Sequence, residues 1–180
     1  KVESYALSGA HQAAEKNCHE LIDFLQKTGE LFEKGLSEQC IVTLLRIAEY
    51  LYDKGSAVDS VPLVPALVDL FESSKPPVDP APLNYLKYLN WKIDRRNLSI
   101  ENSISDASQL RPLLFTEARE IADAIQTSAK LSLDPKARFA LIDLRTFIGE
   151  QALAFALDAK SNGVDQEQYL NLRKLALANY

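Results

Sequence analysis

The sequence predicts an all-α protein, a helical bundle of about seven helices. Three observations carry that prediction. Apolar residues recur at steps of three and four along most of the chain, turn-forming residues punctuate those runs, and no segment alternates apolar with polar residues as a half-buried strand does.

The first helix is the most regular. Leu7, His11, Ala14, Cys18, Leu21, Leu25, Thr28 and Phe32 follow one another on one stripe, with Gly29 a bend point and Gly35 a C-terminal cap. Ser37 caps a second helix whose inward face is Ile41, Leu44, Ala48 and Leu51, and Lys54-Gly55 closes it with a cation and a glycine. Six of the eight prolines then fall between residues 62 and 82. Pro62 and Pro65 suit the entry of a short third helix reaching about Phe71, because proline lacks the N–H that the first turn leaves unbonded anyway.

Ser73-Ser74-Lys75-Pro76-Pro77 reads as a semi-rigid connection, and the stretch 73–82 is the best place for a boundary between two sub-bundles. Neither half holds an obvious core of its own, so residues 1–180 are expected to form one domain crossed there. Asp79-Pro80 opens a fourth helix, with a capping carboxylate and a proline already at helical φ, and Leu86, Leu89 and Ile93 supply its core stripe. Asn97 to Ser105 reads as a polar connection. A fifth helix from Ser105 or Asp106 carries Leu110, Leu114, Ala118, Ile121 and Ile125, with Pro112 expected to shift its start or kink it. Asp134-Pro135 opens the sixth helix, to about Lys160. It is apolar over most of its circumference and therefore expected to be the central element. Asn162-Gly163 stops it, and Asp165 caps a last helix with Tyr169, Leu172 and Leu175.

Composition narrows function. The chain has 180 residues, 47% hydrophobic and 25% charged, the balance of an ordinary globular protein. A net charge of −5 argues against nucleic acid and against anionic membrane surfaces, both of which need cations in excess. No apolar run is long enough to span a bilayer, and no secretory signal opens the chain. A soluble, cytoplasmic protein is expected. The chain begins with Lys1 and holds no Met, which suggests a fragment or a processed form from which a targeting segment could be missing. Cys18 and Cys40 are too few for a disulfide framework and read as small buried hydrophobes in a reducing compartment; the single sequon Asn97-Leu98-Ser99 adds little.

No phosphate loop, nucleophile elbow or metal-ligand motif is present, so no cofactor or metal is expected and an enzyme is disfavoured. His11, Glu15, Cys18 and His19 are the only cluster of metal-ligand types, but His11 and Cys18 lie about 10 Å apart along one helix, too far to share an ion. Asp143, Arg145 and Glu150 interrupt the apolar sixth helix and are expected to pair with Arg111, Arg119 or Glu120 of the fifth. With Glu120, the two acids define one alternative, a carboxylate enzyme. Phe139, Phe147 and Phe155 define another, an interior pocket for a lipid, pigment or other apolar ligand.

The fourth helix is the leading candidate for binding. Tyr85, Lys87, Tyr88, Trp91, Lys92, Arg95 and Arg96 occur within one short stretch, and Trp91 lies off the Leu86, Leu89 and Ile93 stripe. Aromatic residues and arginine dominate interface energies, and the cations suit an acidic or phosphorylated peptide. The opposing reading puts Trp91 in the core with the cations across its ring. The expectation is a non-enzymatic adaptor or scaffold domain binding another protein or peptide, and exposure of Trp91 decides its site.

Overall fold

A computed structural model describes residues 38–54, 63–74, 77–101, 104–128, 134–161 and 166–179, together with isolated helical positions between Ala13 and Lys27. The described residues form six helices and no strand, so the chain is all-α. They are α1 (Glu38–Lys54), α2 (Leu63–Ser73), α3 (Pro80–Glu101), α4 (Ile104–Thr127), α5 (Pro135–Ser161) and α6 (Gln166–Asn179). The first-helix stripe named above, the cluster His11, Glu15, Cys18 and His19, and the cap Asp165 lie outside the described residues.

The local signals act as their chemistry requires. Asp79 Oδ1 accepts the Ala81 N–H at 3.0 Å and Asp134 Oδ1 accepts the Lys136 N–H at 2.8 Å, so both Asp-Pro pairs start helices with the carboxylate capping one residue beyond the proline. At the other end of α2, Ser73 and Ser74 donate their hydroxyls to the Leu70 and Phe71 carbonyls and satisfy groups that the helix leaves open. Pro112 neither moves the start of α4 nor ends it. The helix runs from Ile104 through Pro112 to Thr127, despite the backbone donor that proline lacks. The polar stretch 97–105 is also shorter as a connection than expected. It contains no glycine or proline, and α3 continues through it to Glu101.

The chain divides into two compact units, residues Lys1–Glu101 and Asn102–Tyr180. The division follows α3, and the Pro-rich stretch 73–82 lies inside the first unit, where α2 and α3 pack on each other across it. In that unit α1, α2 and α3 pack pairwise around Leu44, Ile47, Leu63, Leu67, Phe71, Leu86, Trp91 and Ile93, all nearly inaccessible to solvent. Asn84 is the one polar side chain buried among the described residues.

In the second unit α5 packs on both α4 and α6. Leu114, Ala118, Ile121 and Ile125 are buried, as the stripe on that helix predicts. On α5 the buried residues are Ala140, Leu144, Phe147, Ile148, Gly149, Ala152 and Ala156. The expectation that α5 is enclosed on all sides is corrected here: it is the middle helix of its unit, yet Phe139, Ile142, Leu153 and Leu157 are 63%, 65%, 43% and 58% exposed. Two flanking helices cover about half of a helix circumference, and the apolar residues on the remaining arc face outward.

Candidate functional site

The aromatic–basic cluster lies on α3, and the structure resolves how its residues are used. Trp91 and Tyr88 are each 1% exposed. Their rings stack with centroids 6.2 Å apart, and Tyr85, half-buried, continues the row at 6.0 Å from Tyr88. The sequence placed Trp91 off the Leu86, Leu89 and Ile93 stripe, which is geometrically right. But α3 is covered on more than one side, by α1 and by α2, and Trp91 enters that wider interior. A side chain this buried cannot touch a partner, so the expectation that Trp91 and Tyr88 form an exposed binding surface is corrected.

The cations are engaged as well. Lys87 Nζ sits 2.6 Å from Glu72 Oε1 on α2, both side chains being partly exposed. Lys92 Nζ lies 4.9 Å from the centre of the Tyr52 ring and 5.5 Å from that of Tyr88, and the Arg95 guanidinium is 5.5 Å from the Trp91 ring. Arg96 covers the Tyr52 ring at 4.1 Å and its Nη1 donates to the Tyr52 carbonyl at 3.4 Å. Tyr52 is in the last turn of α1, where carbonyls lack helical partners and the backbone dipole is negative. The cationic patch of α3 therefore meets its complement inside the protein. Tyr52 is forty-four residues away in sequence from Arg96, and no local signal could have found that pairing.

Asp94 lies among these cations, half-buried, and accepts a bond from Asn90 Nδ2 at 3.3 Å. Burial pushes its carboxyl above its ordinary pKa. Burial likewise raises the Cys40 thiol, which is half-buried on α1. It is thereby the less reactive, protonated form.

The rings of one alternative reading do not converge, and the carboxylates of the other do not line the open cleft of the second unit. Of the three rings considered for an interior pocket, Phe147 is buried, Phe139 is 63% exposed, and Phe155 meets Phe115 of α4 edge-on at 5.4 Å. Spaced eight apart on a helix, they turn about 80° from one to the next and cannot converge on one space. Of the carboxylates, Glu120 and Glu150 are exposed and Asp143 is half-buried. Arg145 donates to Gln126 Oε1 of α4 at 2.6 Å rather than pairing with Glu120. An open cleft of about 530 Å³ lies between α4 and α6, lined by Arg119, Glu167, Gln168, Asn171, Leu172 and Leu175. None of those three carboxylates reaches it. Among the described residues no group of His, Cys, Asp and Glu could hold a metal ion, and no helix is long and apolar enough to cross a membrane.

What sequence reasoning missed is the outward face of α5. Its signal was present: Phe139, Ile142, Thr146, Leu153 and Leu157 keep the spacing of a helix seam, but it was absorbed into a helix that looked apolar all round. The class defined by this architecture is a helical bundle of two compact units, one of them bearing an open apolar helix face. No family model, curated protein or solved structure matches the chain, so the reading of its function rests on the residues themselves.

Proposed function

We propose that this chain is a non-enzymatic helical interaction domain, an adaptor or scaffold that binds another protein. One observation carries the reading. Helix α5 buries Leu144, Phe147 and Ile148 together with Ala140, Gly149, Ala152 and Ala156 on one side, and still exposes four large apolar residues, Phe139, Ile142, Leu153 and Leu157, on the other. A helix stabilising only its own fold turns its large apolar residues inward, and contiguous exposed apolar surface of this kind marks recognition sites. Cations on α3 add a weaker element. Lys92, Arg95 and Arg96 keep part of their surface in solvent and can steer an acidic peptide, with Trp91 and Tyr88 supporting them from within rather than touching it.

The test is a photo-crosslinking amino acid placed at position 142 of the full chain, in the cells that naturally make the protein, with position 117 of α4 as the exposed polar control. Discrete light-dependent protein adducts from position 142, absent from position 117, are expected. Absence of any adduct from position 142 at native expression levels overturns the reading.

A further inference from the structure

The open face of α5 is self-complementary in charge, and this deepens the interaction reading on which it rests. At 100° per residue, Phe139, Ile142, Thr146, Glu150, Leu153 and Leu157 fall within an arc of about 80° and along about 27 Å of helix. All six are exposed. The apolar members together present about 400 Å² of surface, the size of the largest apolar patch on a typical monomer.

The two edges of this stripe differ in sign. Along one edge, one residue before Phe139 and one before Thr146, stand Arg138 and Arg145. Along the other, one after Ile142 and four after Thr146, stand Asp143 and Glu150. In heptad terms Phe139, Thr146 and Leu153 occupy a, Ile142 occupies d, the two arginines occupy g, and the two acids occupy e, while the later d positions, Gly149 and Ala156, are turned into the unit's own core.

We infer that α5 pairs in parallel with α5 of a second copy of this chain about a two-fold axis. In a parallel pair each g residue faces the e residue five positions on in the partner helix. Arg138 of one copy then meets Asp143 of the other, Arg145 meets Glu150, and the two-fold repeats both pairs. An antiparallel pair instead sets g against g and e against e, which places arginine on arginine and acid on acid. The charge pattern thus selects both the partner and its direction. Arg145 reaches its new partner by releasing Gln126 of α4, an exposed contact that costs little. At about 400 Å² of apolar stripe per copy, half of what a standard interface buries on each side, the association is expected to be weak and concentration-dependent.

Sedimentation of the purified full chain tests this from about 1 to 300 µM. The mass is expected to rise from that of one chain, 20.1 kDa, towards twice that value. Ile142→Asp is expected to weaken the association on the order of 100-fold by placing a charge in the seam, with helicity and melting temperature at 1 µM unchanged. Arg145→Glu and Glu150→Arg should each weaken it several-fold, and the double reversal should restore it. A chain that stays monomeric at 300 µM overturns the second-copy proposal but leaves the interaction reading standing, as does a dimer that survives Ile142→Asp. Single charge reversals that strengthen the dimer overturn the parallel arrangement. If Ile142→Asp unfolds the dilute chain, the face belongs to the fold itself, and both the proposal and the reading beneath it fail.

Discussion

The two units fill their cores with side chains of different size. In residues 1–101 the largest side chains go inward: Trp91, Tyr88 and Phe71 are almost fully buried, and the cations beside them lie across ring faces. In residues 102–180 the core mixes Leu114, Ile121, Ile125, Leu144, Phe147 and Ile148 with Ala118, Ala122, Ala140, Ala152, Ala156 and Ala176, while Leu113, Phe139, Ile142 and Leu157 lie outside. A buried tryptophan contributes several times the transfer free energy of a buried alanine. The first unit thus spends its aromatic surface on stability, and the second leaves large apolar groups free for contact. Residue type alone therefore does not mark a recognition surface; an aromatic cluster can be core while plain leucines form the open face.

The sharpest way to break that contrast is a pair of alanine variants. Trp91→Ala should cost about 3–5 kcal/mol, because it opens a cavity against α1 and α2, and lower the melting temperature of the first unit by upwards of about 10 °C. Phe139→Ala, measured at 1 µM, should change stability by less than about 0.5 kcal/mol, since its ring is already mostly in water. Circular dichroism melts of both variants decide the matter. If Phe139→Ala is as damaging as Trp91→Ala, the open face of α5 is not open and the two units do not differ as described.

A smaller effect probes the seam between α1 and α3. Arg96→Ala removes the cation over the Tyr52 ring and the donor to the last turn of α1, and should cost about 1 kcal/mol. Lys87→Ala, which breaks a partly exposed ion pair with Glu72, should cost less than about 0.5 kcal/mol. The order of these two, read from urea midpoints, tests whether the cations of α3 act mainly within the fold. If Arg96→Ala leaves stability untouched, the arginine is free for an external acidic partner, as the sequence alone suggested.

Legibility in the sequence differs between the two units as well. Helix class, the two Asp-Pro starts and the stripes Leu86, Leu89, Ile93 and Leu114, Ala118, Ile121, Ile125 were legible, because each depends on neighbours within one or two turns. The fate of Trp91 was not, because it depends on how many helices cover α3, a property of packing between segments rather than of any one segment. The open side of α5 was hidden for the converse reason. An apolar circumference reads as enclosure, and only the arrangement of α4 and α6 reveals which arc they leave uncovered. The pairing of Arg96 with Tyr52 spans two helices and had no local trace.

The smallest expected effect concerns Asp94, and its sign separates burial from charge pairing in the α3 seam. Burial raises its carboxyl pKa in the folded protein, so the fold favours the neutral form. A group raised in this way contributes stability that is fully present below its unfolded pKa and is lost as pH rises through its folded pKa. At pH 7 the ionised carboxylate is therefore a small liability. Asp94→Asn keeps the shape and the neutral polarity, and should raise the melting temperature of the first unit at pH 7 by about 1–3 °C. The gain should shrink as pH falls through the folded pKa and vanish below the unfolded one, where the wild-type carboxyl is neutral in both states. A melting series from pH 3 to pH 7 reads this directly. If Asp94→Asn is instead destabilising at neutral pH, the carboxylate is held ionised by Lys92, Arg95 and Arg96. Those cations then serve it as well as the rings, and they have less to offer any partner.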